Sequence, residues 1–261
     1  IGGGITCDMT GFIASTFLRG VDFILVPSTL LSQVDASIGG KTGVNHKGFK
    51  NMIGTFNQPA QVIIDTKFLK SLSKLEIQCG MMEVIKHGLI SDKKFFVWLE
   101  KNLNQILSLK PQFIEKAIKR SIEIKADVVT KDERENGIRA ILNFGHTFGH
   151  ALETIGDNKL YAHGEAVALG MLAATKLSES SSDLDFKVFD RVHSIIKNTG
   201  ININLKKKIV PKKLIKLMQS DKKKSDSQLK FILLEKIGQA KIKNINNEVV
   251  IENAIKNSLF Y

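Results

Sequence analysis

The hydrophobic periodicity of this chain changes once, near Leu75, and that change limits the architectures open to it. Before it, apolar residues at helical spacing over Met9 to Leu18 alternate with short apolar runs at Phe23 to Val26 and Gln61 to Asp65. Pro27 stops the first run, and Pro59 precedes the second. Strands separated by helices predict a parallel, helix-covered sheet. Asp8 stands where an N-cap for the first helix would be. After Leu75 the period is helical. Gly80 to Ile90, Phe95 to Leu107, Pro111 to Val129, Gly145 to Ile155, Gly164 to Ser178 and Phe186 to Thr199 all carry 3.6-type spacing. Lys230 to Leu234 and Ala240 to Ile242 predict one small hairpin through Gly238, Gly200 and Pro211 mark turns, and Ser178 to Asp183 reads as a serine-rich connector. The expected fold class is an α/β N-terminal part, residues 1–74, followed by a mostly α-helical C-terminal domain, residues 75–261, with a cleft between them as the default binding site.

Composition narrows the function classes. Among 261 residues, 43% are hydrophobic and 25% charged, as in an ordinary globular protein. No apolar run approaches the length of a membrane span and no signal peptide is evident, so no membrane partner is expected. Cys7 and Cys79 lack metal-type spacing, and a reducing, cytoplasmic setting is expected. The formal net charge is +12, with runs at Lys206-Lys207-Lys208 and Lys222-Lys223-Lys224. Phenylalanines are not interleaved with those runs as stacking platforms would be, so the lysines read as a solvated surface and no nucleic-acid partner is expected. Part of the charge suits an anionic small substrate. The chain opens on Ile1-Gly2-Gly3-Gly4 without the strand that normally precedes a glycine turn, so an N-terminal truncation is expected.

Gly2-Gly3-Gly4 ahead of a helix has the physics of a phosphate-binding turn, although not the G-x-G-x-x-G spacing. Ser37 to Gly54 reads as a long glycine-bearing loop, and loops of that length are usually functional. Within Val34 to Asn45 the Gly39-Gly40-Lys41-Thr42 core ends like a P-loop, but Asp35 stands where the first P-loop glycine should be, which disfavours a Walker ATPase. What remains is a loop presenting a lysine and a carboxylate, with Lys50-Asn51 downstream. Three of six histidines, His146, His150 and His163, fall within eighteen residues. His146 and His150 share a helix face at i, i+4, and His163 starts a further helix. Neutral imidazole is both a common metal ligand and an acid–base group near neutrality. Glu83, among Met, Val and Ile, needs a partner such as a metal or Lys86. One carboxylate with two imidazoles is a zinc-type set that leaves a position open for substrate. Lys131 to Glu135 reads as a charged connector. Arg139, just before the histidine helix, is better placed to meet an anion.

Together these segments resemble the 3-dehydroquinate synthase family. The resemblance runs through Gly2-Gly3-Gly4 with Asp8, Leu18-Arg19-Gly20, Gln33 to Asn45, Lys50-Asn51, Glu83 to Gly88, Leu142 to His150, His163-Gly164-Glu165 and Asp221-Lys222-Lys223, in family order. It implies that the first part is the second half of a Rossmann-like nucleotide-binding domain and the second part a metal- and substrate-binding domain. It implies NAD and a divalent metal, zinc or cobalt, a phosphorylated sugar-acid substrate and a homodimer. The implied reaction turns 3-deoxy-D-arabino-heptulosonate 7-phosphate into 3-dehydroquinate and phosphate by transient oxidation, phosphate elimination, re-reduction and aldol closure. Glu83, His146 and His163 would be the metal ligands. Gly4, Ile5, Thr6, Cys7 and Asp8, Ser28 and Thr29, Lys41, Lys50, and Phe68, Leu69, Lys70 and Ser71 would contact NAD. Arg19, Asp35, Lys86, Lys125, Arg139, Asn143, His150 and one of Lys222 or Lys223 would line the substrate pocket. Another sugar-phosphate cyclase and a metal-dependent, glycerol-type alcohol dehydrogenase are the alternatives.

Overall fold

The computed structural model describes residues 1–46, 49–156, 160–182, 184–221 and 229–259. In chain order the elements are α1 (Gly4–Thr16), β1 (Ile24–Leu25), β2 (Lys41–His46), β3 (Phe49–Phe56), β4 (Gln61–Val62), α2 (Lys74–Ser91), α3 (Lys93–Leu107), α4 (Pro111–Lys131), α5 (His146–Ile155), α6 (His163–Ser182), α7 (Lys187–Asn198), α8 (Pro211–Asp221), β5 (Lys230–Lys236), β6 (Gln239–Asn244) and α9 (Glu248–Leu259). Packing divides the chain into two units, residues 1–84 with 104–139 and residues 85–103 with 140–261. The sequence reading divided it once, after residue 74, because periodicity reports that a segment is helical and not which core its apolar face meets. Helix α4 buries Ile114, Ile118, Ile124 and Val128 within the first unit.

In the first unit, β1 and β4 pair in parallel, Ile24 with Gln61 and Leu25 with Val62. The Gly2 N–H donates to Val26 O at 3.1 Å, and Ser28 N–H donates to Gly2 O at 2.8 Å, so the opening glycines lie parallel beside residues 26–28. Cys7, Ala14, Phe23 and Leu25, with Val62 against them, form a small core under α1. This helix begins earlier than its apolar spacing indicates. Gly3, in extended conformation, is its N-cap, and Asp8 is its fifth residue rather than its cap. Glycine tolerates the cap position without a side-chain acceptor, so the chain turns from strand into helix within the glycine run.

The stretch read as a loop from Ser37 to Gly54 is mostly an antiparallel hairpin, with Lys41 opposite Phe56 and Gly43 opposite Gly54. Lysine, glycine and asparagine have low strand propensity, which hid it. Backbone pairing and a Thr42–Thr55 hydroxyl contact of 2.8 Å hold it instead. A side chain at Gly11 would meet Thr42 Cγ2 at 2.4 Å, so glycine lets α1 lie directly on β2. Residues Ser32–Ala36 form a short π-helix, a rare geometry frequent at functional sites.

The second unit is built around α6, whose residues from Gly164 to Leu177 are almost all buried. Helices α5, α7 and α9 and strand β5 pack on it. Glycine makes the α5–α6 contact close. A Cβ on Gly170 would stand 2.1 Å from Gly145 O, and one on Gly149 would stand 3.1 Å from Ala166 O. Gly145 also has φ +83°, a left-handed conformation that favours glycine. The connector expected from Ser178 is helical through Ser182. The Ser178 hydroxyl donates to Ala174 O at 2.7 Å and accepts from Leu234 N–H at 2.9 Å, which fastens β5 to α6. Pro211 opens α8 at the first helical position, where its missing N–H costs nothing. Among the described residues no helix is long and apolar enough to cross a membrane.

Candidate active site

Three residues lie close enough together to hold a metal ion. Glu83, in the middle of α2, is 1% exposed. His146 and His163 are the first residues of α5 and α6. One ligand atom from each of the three lies within 4.8 Å of the others. Ligand atoms arranged tetrahedrally about an ion at ~2.1 Å stand ~3.4 Å apart, so side-chain torsions suffice to close the set. The outer hydrogen bonds suit it. His146 Nδ1 lies 3.3 Å from Phe144 O, and His163 Nδ1 lies 3.3 Å from Glu153 Oε1. With Nδ1–H donating in both rings, Nε2 is the lone-pair nitrogen each can offer a metal. The donor set, two imidazoles and a carboxylate, fits zinc or cobalt. His150 is exposed, and its ring stands edge-on to that of His146 with centroids 5.5 Å apart. It is not among the three grouped ligands.

In the first unit, the C-terminal ends of the parallel segments gather the glycine turn and residues Ser28 and Thr29. Thr29 Oγ1 and Ser32 Oγ are 2.8 Å apart, and each accepts from the other's backbone N–H at 3.1 Å. A side chain on Gly3 would press on Thr29 Cγ2 at 3.2 Å. Phe68, Leu69, Lys70 and Ser71 lie in a 3-10 helix, Thr66–Ser71, capped by the Asp65 carboxylate accepting from Lys67 N–H at 2.8 Å. Gln33 is fully buried, and its Nε2 donates to Pro27 O at 3.2 Å and to Asp65 O at 3.0 Å, tying these two segments together. The sequence reading assigned Gln33 no role, because a buried amide between two loop carbonyls leaves no spacing signature.

Charged groups also gather in this unit. Lys125 Nζ pairs with Asp35 Oδ1 at 2.7 Å and also donates to the Asp35 carbonyl. Burial pushes the Asp8 carboxyl up to about 6, with Lys125 opposing, Asp35 adding and an Asn51 hydrogen bond opposing. Burial, with the Asp8 charge adding, pushes the Cys7 thiol up. Arg139, 2% exposed, donates to Gly39 O at 2.9 Å and to Glu133 O, and lies over the Phe56 ring at 5.8 Å. The Asp132 carboxylate accepts from the N–H groups of Asn136, Gly137 and Arg139 at 2.8 to 3.0 Å, and these bonds hold it below its usual value. The segment read as a charged connector is thus an organised loop. Glu135 forms an ion pair with Lys41, and Glu133 accepts from Gln58 at 2.8 Å.

The other expected residues are placed as follows. Arg19 ends a short 3-10 helix, exposed, with φ +67°. Gly4, Ile5, Thr6 and Cys7 form the first turn of α1. Lys86 is 1% exposed on α2, one turn after Glu83. Asn143 closes a 3-10 helix, Ile138–Asn143. Lys50 belongs to β3. Lys222 and Lys223 lie outside the described residues.

Two family models match in succession: 3-dehydroquinate synthase N-terminal over residues 1–79 and 3-dehydroquinate synthase C-terminal over residues 80–224. The 3-dehydroquinate synthase of Nitrosomonas europaea is 48% identical over 240 residues, covering 92% of this chain and 65% of that protein. That of Saccharophagus degradans is 50% identical over 240 residues, covering 92% and 66%. The chain thus spans slightly less than two thirds of the length of these curated relatives. Among solved structures, a 2-epi-5-epi-valiolone synthase from Streptomyces hygroscopicus with NAD+ and Zn2+ bound aligns with a TM-score of 0.90 at 26% identity, over 98% of this chain and 71% of that one. A 2-deoxy-scyllo-inosose synthase complexed with carbaglucose-6-phosphate, NAD+ and Co2+ aligns with a TM-score of 0.88 at 27% identity, over 99% and 73%. A glycerol dehydrogenase from Schizosaccharomyces pombe, 16% identical with a TM-score of 0.66, shares the fold alone. With both halves of its family model matched in order and relatives approaching half identity, this chain belongs to the 3-dehydroquinate synthase family.

Proposed function

We propose that the whole protein is a 3-dehydroquinate synthase, a lyase of the shikimate pathway that converts 3-deoxy-D-arabino-heptulosonate 7-phosphate to 3-dehydroquinate and phosphate. The observation that carries this reading is the grouping of Glu83, His146 and His163 in a chain whose curated relatives, 42–50% identical, bear that name. Glu83, His146 and His163 hold the divalent metal, zinc or cobalt. NAD binds the first part of the chain, residues 1–74, along the glycine turn and Asp8, Ser28 and Thr29, Lys41 and Lys50, and residues 68–71. Residues 75–261 form the metal- and substrate-binding part. Bound at these residues, the metal would supply Lewis-acid polarisation of a substrate hydroxyl and NAD a reversible hydride acceptor, the chemistry that would make the neighbouring C–H acidic.

The chain's own residues supply binding and proton handling. The Arg139 guanidinium donates to backbone carbonyls rather than carboxylates in its hydrogen bonds, so its positive charge is positioned for an anionic substrate group. The Lys125–Asp35 pair offers an ammonium and a carboxylate fixed against each other, suited to hydroxyls and the substrate carboxylate. Lys86, Arg19, Asn143 and one of Lys222 or Lys223 complete the anion and hydroxyl contacts. His150, exposed beside His146 and outside the ligand set, handles a proton or the phosphate group.

Homodimer formation is supported by α1. Ile5, Met9 and Ile13 recur at i, i+4 spacing and are 76%, 45% and 55% exposed, and Phe17, just past the helix end, is 58% exposed, an apolar stripe of the kind that marks an interface. A cytoplasmic location agrees with two free cysteines, one buried. The deciding assay is phosphate release from the heptulosonate phosphate by the full-length gene product with NAD and Zn2+. Release without net NADH supports the synthase. Turnover of a simple polyol with accumulating NADH supports a glycerol-type dehydrogenase, and cyclisation of a heptulose phosphate lacking the carboxylate supports a valiolone-type cyclase.

A further inference from the structure

Glu153 is 5% exposed near the end of α5. It lies seven residues after His146 and three after His150, so the three side chains form one stripe along a face of the helix. A carboxylate buried to this degree is costly unless it meets a donor. Its Oε1 lies 3.3 Å from Nδ1 of His163, and His163 is one of the three grouped metal-ligand residues.

We propose that Glu153 is a positioning residue for the metal centre, acting through His163. An imidazole has one N–H in its neutral form, and the partner at one nitrogen decides which nitrogen keeps a lone pair. By accepting from Nδ1–H, the Glu153 carboxylate places the lone pair on Nε2, fixes the ring plane and makes that nitrogen a stronger donor. His146 receives a weaker version of the same device, its Nδ1 facing the neutral Phe144 carbonyl at 3.3 Å. The two imidazoles therefore differ at Nδ1: His163 faces a carboxylate there, and His146 a carbonyl.

The surroundings hold His163 in place at its other end. The Glu165 carboxylate, 4% exposed, accepts from Ala162 N–H at 2.8 Å and from Lys206 Nζ at 2.6 Å. Lys206 N–H donates in turn to the Tyr161 hydroxyl at 3.0 Å. The main chain entering α6 is thus fixed at Ala162, and the ring that leaves it at His163 is fixed by Glu153. Tethering a ligand at backbone and ring leaves it little freedom to lose when a metal binds.

The inference rests on the metal reading proposed above, and the experiment separates the two. In the full-length protein, Zn2+ affinity is measured by competition with a chromophoric chelator, the visible spectrum of the Co2+-loaded protein is recorded, and folding is followed by circular dichroism. Glu153→Ala is expected to weaken Zn2+ binding by roughly 10–100-fold and to shift the Co2+ bands. Glu153→Gln, which keeps an acceptor of the same shape but loses the charge, is expected to lose several-fold at most, with a smaller band shift. A folded variant of either kind that binds Zn2+ as the unaltered protein does, with an unchanged Co2+ spectrum, overturns the proposal and leaves Glu153 as a link between α5 and α6. Should Glu153→Ala not fold, the isosteric Glu153→Gln decides by the same two readouts. His146→Ala is the control: retention of Zn2+ there overturns the metal reading itself, whatever Glu153 does.

Discussion

Asp8 carries a pH dependence opposite to that of a typical surface aspartate. Burial raises its carboxyl from 3.8 to about 6, so the neutral acid is the form the folded chain tolerates. Its contribution to stability is fully present below about pH 3.8, falls as pH rises through about 6, and is a constant cost above that. The shift is roughly two units, and at ~1.36 kcal/mol per unit it corresponds to ~3 kcal/mol. Asp8 is only partly buried, and solvent screening reduces the figure to about 1.5 kcal/mol. Asp8→Asn removes the titration with little change of shape. In urea unfolding of the ligand-free protein, the stability of Asp8→Asn relative to the unaltered chain should rise by about 1.5 kcal/mol between about pH 4 and pH 7.5, most of it between pH 4 and 6. A relative stability that stays flat across that window, or falls, refutes the reasoning. It would mean that Lys125 and Asn51, the two groups opposing the shift, outweigh burial.

Other outcomes follow from geometry. His150→Ala should leave zinc content unchanged while turnover of the full-length enzyme falls by roughly 100-fold or more; metal analysis and steady-state phosphate release check both. Gly170→Ala places a methyl carbon 2.1 Å from the Gly145 carbonyl, and thermal or urea unfolding should register about 1–3 kcal/mol of destabilisation. Lys125→Met leaves the Asp35 carboxylate without its ammonium partner, which should cost about 3 kcal/mol of stability in the same assays and most of the substrate affinity. Replacing exposed Met9 and Ile13 on α1 by Lys and Glu should turn a dimer into monomers in analytical ultracentrifugation, while the monomer's helical circular dichroism is kept.

Helices with an apolar face were legible from the chain. The spans expected over 111–129 and 145–155 fall within two residues of α4 and α5, because apolar residues at helical spacing, Ile and Val in α4 and Phe148, Ala151, Leu152 and Ile155 in α5, have one reading. Elements held by backbone geometry were not. The β2–β3 hairpin is glycine-, lysine- and asparagine-bearing and lacks the side-chain pattern that propensity rests on, and only the start of α1, at Gly4 rather than near Met9, was hidden by the glycine run. Helices α8 and α9 were missed because short apolar runs among lysines and asparagines resemble connectors. At the site, residue chemistry pointed to Glu83 and to the histidines His146, His150 and His163; the choice of His146 and His163 beside Glu83 came from the family resemblance. Contacts across long sequence separations, Gln33 to Asp65 or Lys41 to Glu135, depend on topology that a linear pattern does not encode.

The contact of Gly145 and Gly149 with α6 bears on how this chain tolerates change. His146 and His163 each begin one of the two helices, and those helices meet main chain to main chain. The spacing between the imidazoles is therefore gauged by peptide groups, whose dimensions do not vary with side-chain identity. Leucine, valine or methionine elsewhere on α6 can be exchanged for one another at the cost of local repacking without moving the histidine pair. A single methyl group at Gly170 would reset the gauge. A drifting lineage should hence lose its core sequence long before it loses those glycines, and a relative in which one of them is replaced is the place to look for a metal centre of altered geometry.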